Sequence, residues 1–283
     1  MRSIVLSVFA ACAANVVFGA AQVKSVQVRS EAMAKDVPVT VVLPGDYGKD
    51  PAKRYPVIYC FHGCGGDENS YVTSNLCEFV DREKVIFVAP NGAKSSWWID
   101  SPVDPTMKYE TFPIKELLPY VDKTYATIPD RAHRVTMGGS MGGHGAAYLA
   151  LRHRDLFGAV AILYGAVDVR PFPPHYWKLQ ERFGDKQANR AFWDANMVSE
   201  LAKDLKNGEL SILQIIGTND SYFLQVNRKF HKQLVKDEIE HVYVEIRGED
   251  KDHSAHNGIF RQMAMPVMLN YLNNFFREGK GRL

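Results

Sequence analysis

The chain has 283 residues, of which 46% are hydrophobic and 23% are charged, and its formal net charge at pH 7 is +2. This composition is that of an ordinary globular protein with one large domain or two small ones, and it excludes a disordered or fibrous chain. Because the net charge is small and no basic tract occurs, the composition does not favour a nucleic-acid partner.

The first 21 residues have the pattern of a secretory signal peptide. Arg2 precedes an uncharged stretch of moderate hydrophobicity that ends in small residues at positions 19–21. A membrane anchor would need a more strongly apolar stretch, so the pattern favours cleavage. A lipoprotein is a weaker alternative, because residues 9–12 match a lipobox imperfectly. Cleavage predicts a secreted or periplasmic protein with a mature domain over residues 22–283.

Three cysteines lie beyond the predicted signal peptide: Cys60, Cys64 and Cys77. This number is odd and small, so no disulfide scaffold is expected. One bridge between Cys64 and Cys77 and three buried thiols are about equally compatible with the sequence. The spacing lacks the paired cysteine and histidine ligands of a zinc site, so we expect no metal.

Short apolar runs alternate with amphipathic stretches along the mature chain. The runs predict strands over 23–30, 37–43, 55–61, 85–90, 135–137, 159–163, 210–216 and 241–247. The amphipathic stretches predict helices over 70–84, 110–124, 144–152, 221–236 and 260–276. Strands that alternate with helices predict an α/β fold with a mainly parallel central sheet and helices on both faces.

The segment 168–204 is too long for a simple connection between a strand and a helix. It contains the pair Pro173-Pro174 and several aromatic residues, among them Trp177. We interpret it as a helical cap-like insertion near the functional site and not as a second domain.

The strongest functional signal is the motif Gly138-Gly139-Ser140-Met141-Gly142. It matches G-x-S-x-G and lies between a predicted strand and a helix rich in Ala and Leu. In that setting the motif predicts a nucleophile elbow, in which Ser140 occupies a strained strand-to-helix turn. Glycines are needed there because larger side chains would collide. The backbone N–H of Met141, at the start of the helix, is a candidate oxyanion donor.

A glycine-rich loop, His62-Gly63-Cys64-Gly65-Gly66, follows the predicted strand 55–61. In hydrolases with a nucleophile elbow, the loop after the third strand supplies the second oxyanion donor. The donor is a backbone N–H, and that of Cys64 is the candidate. We expect His62 to hold the loop in place and not to transfer a proton.

A serine nucleophile needs a general base, and the base needs an acid that orients it. Asp220 directly follows a predicted strand and is the favoured acid, with Asp168 as the alternative. The loop after the last strand contains His253 and His256, and we favour His256 because it directly precedes the closing helix. The sequence therefore predicts a triad of Ser140, Asp220 and His256.

Three tryptophans are candidate substrate-binding residues. Trp97 and Trp98 are adjacent in a polar loop that is rich in turn residues, and Trp177 lies in the 168–204 insertion. Such rings either line a pocket or pack over a loop, and the sequence leaves both outcomes open. Sugar rings and aryl groups stack well on tryptophan.

These motifs resemble the α/β-hydrolase family named Putative esterase, and the resemblance extends from about Val37 to Phe276. The residues that carry it are the string 139–146, His62-Gly63, the segment 97–101 and the segment 116–120. The family includes esterase D (S-formylglutathione hydrolase), tributyrin esterases, mycolyltransferases, and the acetyl xylan and feruloyl esterases of carbohydrate esterase family 1. The sequence His256-Asn257-Gly258 departs from the family's Gly-x-His-Asp-Trp pattern because it lacks the tryptophan.

The resemblance implies a serine carboxylesterase that works through an acyl-enzyme and needs no cofactor. Together with the signal peptide, it favours acetyl or feruloyl esters on plant polysaccharide, followed by the substrates of a generic short-chain carboxylesterase. A mycolyl-type acyltransferase and a non-catalytic binding protein on a hydrolase scaffold are the alternatives. We expect an ester substrate as the partner, no nucleic acid and no stable membrane association. The sequence leaves the oligomeric state open.

Overall fold

The computed structural model describes residues 16–18, 20–248, 250 and 252–283. Most of the predicted signal peptide, residues 1–21, lies outside the described residues. The sheet strands are β1 (Val16–Phe18), β2 (Ala21–Ser30), β3 (Lys35–Leu43), β4 (Val57–Phe61), β5 (Ile86–Pro90), β6 (Arg134–Gly139), β7 (Ala159–Leu163), β8 (Ser211–Gly217) and β9 (Val242–Ile246). The α-helices are α1 (Ser74–Glu83), α2 (Leu118–Thr124), α3 (Met141–Arg152), α4 (Leu179–Phe183), α5 (Arg190–Ala195), α6 (Val198–Leu201), α7 (Leu224–Lys236) and α8 (Gly258–Glu278).

All of these strands belong to a single sheet with the order β1-β2-β3-β5-β4-β6-β7-β8-β9. The pairs β1–β2, β2–β3 and β3–β5 are antiparallel, and every pair from β5–β4 to β8–β9 is parallel. The prediction of a mainly parallel α/β sheet is therefore confirmed. In such a sheet the loops after the parallel strands meet at one edge, where ligand sites form.

The core has two layers because the central strands are buried on both faces. Alternate residues of β4 point to opposite layers. Tyr59 and Phe61 pack on the layer that contains α3 and α7, whereas Ile58 and Cys60 pack on the layer that contains α1 and α8. Packing on both faces of the sheet holds the ends of β4, β6 and β8 in fixed positions relative to one another.

The predicted insertion 168–204 contains the short helices α4, α5 and α6. Phe183, Trp193 and Met197 are buried in the same layer as α3. The insertion is thus anchored to the main core by apolar side chains.

The structure contains no disulfide bond among Cys60, Cys64 and Cys77. Cys60 and Cys77 are buried and Cys64 is half-buried, and all three thiols are free. The alternative of a Cys64–Cys77 bridge is therefore wrong for this structure. None of the helices in the described part of the chain is both long and apolar enough to cross a bilayer.

Candidate active site

Ser140 lies between the end of β6 and the start of α3, at the edge where the parallel strands end. Its φ is 60° and its ψ is −123°, a conformation that a non-glycine residue rarely adopts. The surrounding backbone holds it there: the Ser140 N–H donates to Leu163 O at 3.0 Å, and Ser140 O accepts from His144 and Ala166. The strained elbow that the motif predicts is therefore present.

The glycines beside Ser140 are required by close backbone contacts. A Cβ on Gly142 would lie 1.9 Å from Phe61 O, and a Cβ on Gly138 would lie 2.3 Å from Gly142 O. Because the obstructing atoms belong to the backbone of β4 and α3, they cannot move aside. Glycine at these positions lets the elbow approach β4 closely.

The loop 62–66 packs directly against the elbow. A Cβ on Gly63 would lie 3.2 Å from Ser140 Cβ, and Cys64 Sγ lies 3.5 Å from Met141 Sδ. The N–H of Cys64 donates no backbone hydrogen bond within the described residues, whereas that of Gly65 donates to Lys94 O at 2.8 Å. The two predicted oxyanion donors thus belong to segments in direct contact, and no group of the described residues accepts from the Cys64 N–H.

His62 is buried and holds this loop, as the sequence suggested. Its Nε2 accepts a hydrogen bond from the Gly92 N–H at 2.7 Å, which leaves Nδ1 to donate to Gly63 O at 2.8 Å. This arrangement requires the neutral ring, and burial lowers the pKa of His62 from its ordinary value.

Asp220 and His256 form a hydrogen-bonded pair. Asp220 Oδ2 accepts from His256 Nδ1 at 2.8 Å, and the carboxylate side chain is fully buried. Its other oxygen, Oδ1, accepts from the N–H groups of Tyr222 and Phe223 at 2.9 and 2.7 Å. The carboxylate is therefore fixed by its own loop and in turn fixes the imidazole. Asn257, which follows His256, caps α8 by accepting from Phe260 N–H at 2.9 Å.

The alternative base and acid lie elsewhere. His253 Nδ1 pairs with Asp250 Oδ1 at 2.7 Å, and the side chain is 41% exposed. Asp168 forms a two-point ion pair with Arg170. The geometry therefore distinguishes His256 and Asp220 from these two candidates.

Ser140 and His256 line one cleft of about 170 Å³. Its lining residues are Gly63, Cys64, Gly66, Ser70, Tyr71, Gly139, Ser140, Tyr164, His256, Asn257, Gly258 and Arg261. Within the described residues, neither Ser140 Oγ nor His256 Nε2 has a hydrogen-bond partner. The two reactive atoms are thus both available to a molecule in the cleft.

Sequence reasoning missed several residues of this cleft, among them Tyr164, Tyr71 and Arg261. Tyr164 directly follows β7, and its ring centroid lies 4.3 Å from that of His256. Tyr71 is buried, and the guanidinium of Arg261 lies over its ring at 5.1 Å from the centroid. The position of Tyr164 at a strand end was a usable signal, but Tyr71 and Arg261 are brought to the site only by the packing of their segments.

Trp97 and Trp98 do not line this cleft, so their assignment to substrate binding is wrong for this structure. Both have a φ of 59°, and this tight turn directs both rings into the core. The ring of Trp98 packs at 4.7 Å from Phe61, and its Nε1 donates to His62 O at 3.2 Å. Of the two outcomes that the sequence left open, packing is the one observed: both rings are buried, and that of Trp98 lies beneath the oxyanion loop.

Trp177 is half-buried at the junction between the insertion and the site. Its ring lies 5.3 Å from Phe223 and 5.5 Å from Tyr222, and both of these rings contact His256. Trp177 also contacts Trp97, whose Nε1 donates to Trp177 O at 3.1 Å. The three tryptophans therefore have different positions, and of the three it is Trp177 whose ring contacts the aromatic residues beside His256.

The described residues contain no group of three or more His, Cys, Asp or Glu side chains arranged to hold a metal ion. A serine on a strand-to-helix turn at the carboxyl edge of a parallel sheet, beside a glycine loop and an Asp–His pair, places the chain among the α/β-hydrolases. The family model described as "Putative esterase" matches residues 30–261. The chain belongs to this esterase family.

Two relatives are similar to part of the chain. An esterase of Mycobacterium tuberculosis is 31% identical over 137 residues, which are 47% of this chain and 30% of that protein. An endo-1,4-beta-xylanase/feruloyl esterase of Xylanibacter ruminicola is 32% identical over 148 residues, which are 48% of this chain and 20% of that protein. The chain therefore spans less than a third of the length of these relatives.

Two solved structures share the fold over almost the whole chain. A ferulic acid esterase has a TM-score of 0.75 and 23% identity, covering 90% of this chain and 99% of that one. An S-formylglutathione hydrolase from Agrobacterium tumefaciens has a TM-score of 0.77 and 16% identity, covering 93% and 98%. At these identities the likeness establishes the α/β-hydrolase fold.

Proposed function

We propose that the chain is a serine esterase whose triad is Ser140, His256 and Asp220. The observation that carries this proposal is the 2.8 Å bond between Asp220 and His256 at the cleft that holds Ser140 on its strained elbow. A buried carboxylate at Nδ1 selects the tautomer that leaves Nε2 free to accept a proton, and it stabilises the imidazolium that forms.

The first step is acylation of the serine. His256 Nε2 removes the proton from Ser140 Oγ as that oxygen attacks the ester carbonyl carbon. The carbonyl oxygen becomes an oxyanion and accepts from the N–H groups of Cys64 and Met141. The tetrahedral intermediate then collapses, and the proton passes from Nε2 to the departing alcohol.

The second step releases the acid. Water enters from the cleft, His256 removes its proton, and the resulting hydroxide attacks the acyl carbon. The same two N–H groups hold the second oxyanion, and the proton returns from His256 to Ser140 Oγ as the acid leaves. Only side chains, backbone groups and water take part in this route.

We propose further that the protein is secreted or periplasmic and acts on acetyl or feruloyl esters of plant polysaccharide. This is supported by the signal-peptide pattern of residues 1–21 and by the similarity to a protein named endo-1,4-beta-xylanase/feruloyl esterase. The aromatic cluster of Trp177, Tyr222 and Phe223 beside His256 offers rings on which sugar or aryl groups can stack.

The test is hydrolysis of an ester panel by the wild-type protein and by Ser140→Ala. The panel contains p-nitrophenyl acetate, p-nitrophenyl butyrate, methyl ferulate and acetylated xylan. We expect the substitution to lower kcat by about 10⁴- to 10⁶-fold on every ester that is turned over.

The panel also separates the substrate classes. Serine-dependent release of ferulate or xylan acetate above the aryl esters supports the polysaccharide assignment. Activity confined to the p-nitrophenyl esters would instead indicate a generic short-chain carboxylesterase. If Ser140→Ala retained wild-type turnover, the triad assignment would be refuted.

A further inference from the structure

A larger groove between α1 and α8 adjoins the cleft that Ser140 and His256 line. This groove has a volume of about 510 Å³ and shares Ser70, Tyr71 and Arg261 with the cleft. These three residues border both spaces, so the groove lies directly beside the cleft that holds Ser140. We call this region the α1–α8 groove.

The lining of the α1–α8 groove combines an apolar floor with polar walls. Phe79 and Met265 are buried and contribute to the floor. Exposed hydroxyl and amide side chains stand along both helices, including Ser74, Asn75 and Asn270. Apolar surface bordered by many hydrogen-bonding groups suits a polyhydroxylated ring better than an alkyl chain.

The groove lies on the side of the catalytic base. Arg261 is in the first turns of α8, and His256 directly precedes the residue that caps this helix. In the proposed acylation step, His256 gives its proton to the departing alcohol, so the alcohol must lie on this side of Ser140. The α1–α8 groove is therefore placed to receive the alcohol part of an ester.

Arg261 stands at the junction of the cleft and the groove. Its guanidinium lies over the Tyr71 ring, and it forms no ion pair with any residue in the described part of the chain. Arg82, in the same groove, is already paired with Glu83 at 2.6 Å. The acidic side chain on the groove wall, Glu78, makes no ion pair with Arg261. A half-buried guanidinium that the described carboxylates leave unpaired can form a strong two-point bond with a carboxylate ligand.

We propose that the α1–α8 groove binds the alcohol part of the substrate and that this part is a carbohydrate bearing a carboxylate, which pairs with Arg261. This inference rests on the proposed function and adds the chemical class of the alcohol. Arg261 is then a specificity-determining residue for acidic sugar esters, and the apolar floor contacts the sugar ring.

The kinetic test compares two esters that differ only at C6 of the sugar. This carbon is a carboxylate in an O-acetylated methyl glucuronoside and a hydroxymethyl group in the matching O-acetylated methyl glucoside. Each is assayed with the wild-type protein, Arg261→Gln, Arg261→Lys and Arg277→Gln. Arg277 is the control because it is exposed on the same helix, outside both the cleft and the groove.

We expect the wild-type protein to prefer the acidic ester. Arg261→Gln should lower the ratio of kcat/KM between the acidic and the neutral ester by roughly 10- to 100-fold, the range for one charge-assisted contact. Arg261→Lys should restore part of this ratio, and Arg277→Gln should leave it unchanged. Equal rates of the wild-type protein on the two esters, or an unchanged ratio in Arg261→Gln, would overturn the inference.

A binding measurement separates this inference from the proposed function. Ser140→Ala, with and without Arg261→Gln, is titrated with glucuronic acid-substituted xylo-oligosaccharide and with the unsubstituted oligosaccharide. We expect tighter binding of the acidic oligosaccharide, lost on Arg261→Gln. Equal binding of both would refute the groove assignment even if the esterase activity is present, and selective binding would support it even if no ester of the panel is turned over.

Discussion

His256 and His253 belong to the same loop, yet their surroundings differ. His256 is held by the buried Asp220 and faces the cleft, whereas His253 is paired with the exposed Asp250. A general base must be oriented and must reach the nucleophile. Of these two histidines, His256 is the one that is held by a buried carboxylate and lines the same cleft as Ser140.

We therefore predict that His256→Gln lowers kcat for p-nitrophenyl acetate by about 10⁴- to 10⁶-fold. His253→Gln is the matched control and should keep the wild-type kcat. Steady-state kinetics on both variants, with circular dichroism to verify folding, tests which histidine is the general base. A large loss of activity in His253→Gln with His256→Gln active would reverse the assignment.

The indole N–H groups of Trp97 and Trp98 donate hydrogen bonds to different segments of the chain. Trp98 Nε1 donates to His62 O in the oxyanion loop, and Trp97 Nε1 donates to Trp177 O in the insertion. Because both rings are buried, each tryptophan can affect the active site only through the residues that it holds in place. Trp98 holds the loop that carries the Cys64 N–H.

From this difference we predict the effects of two matched substitutions. Trp98→Phe and Trp97→Phe should each reduce the free energy of unfolding by about 1–3 kcal/mol, because each loses a buried hydrogen bond and some packing. Only Trp98→Phe should also lower kcat, since it loosens an oxyanion donor. Urea unfolding and kcat of both variants test this, and an equal loss of kcat in both would contradict it.

At the scale of elements, Glu110 ties α3 to the segment before α2. Its carboxylate accepts hydrogen bonds from Tyr148, Arg152 and His153 at 2.5, 2.8 and 3.0 Å. Burial by itself would raise the pKa of Glu110, but the bonds from His153, Tyr148 and Arg152 outweigh it and lower the pKa to about 2. The network fixes the C-terminal end of α3, the helix that follows Ser140.

A carboxylate whose pKa is lowered in the folded state stabilises the protein above its unfolded pKa, and this stabilisation is lost as the pH falls through the folded pKa. We expect the free energy of unfolding to decrease from about pH 4.5 to about pH 2 as Glu110 becomes protonated. Glu110→Gln should cost about 2 kcal/mol at pH 7, a figure reduced for partial solvent screening, and should flatten this dependence.

Chemical denaturation between pH 2 and pH 7 measures this effect. Glu181→Gln is a suitable control because Glu181 is 57% exposed in its ion pair with Lys178. The control should change stability little at any pH. A pH dependence of Glu110→Gln equal to that of the wild type would show that the network does not hold the charged carboxylate.

At the scale of the whole molecule, the fold shields its thiols. Cys60 and Cys77 are buried, and burial raises the pKa of Cys64 to about 12. Since the thiolate is the reactive form, none of the three should be alkylated in the native state.

We predict that iodoacetamide at pH 8 leaves Cys60, Cys64 and Cys77 unmodified in the native protein and modifies all three in urea. Peptide mass spectrometry gives the extent at each position. Rapid native labelling of Cys64 would show that the oxyanion loop opens in solution, because that thiol is covered by Met141.

Much of the architecture could be predicted because its signals are local. Continuous apolar runs marked the parallel strands, and the G-x-S-x-G between a strand and a helix marked the elbow at Ser140. Asp220 and His256 could be proposed from their positions after successive strands, since the carboxyl ends of parallel strands meet at one edge. Their pairing then depended on that shared edge and not on any spacing in the sequence.

The amino-acid sequence by itself determined the order of strands and helices, the elbow and the candidates for acid and base, because these depend on residues close together in the chain. Only the tertiary structure decided that Trp98 is buried under the oxyanion loop, that His256 and not His253 meets Asp220, and that Arg261 reaches the cleft. Each of these depends on contacts between distant segments, whose geometry is set by how the helices pack on the sheet.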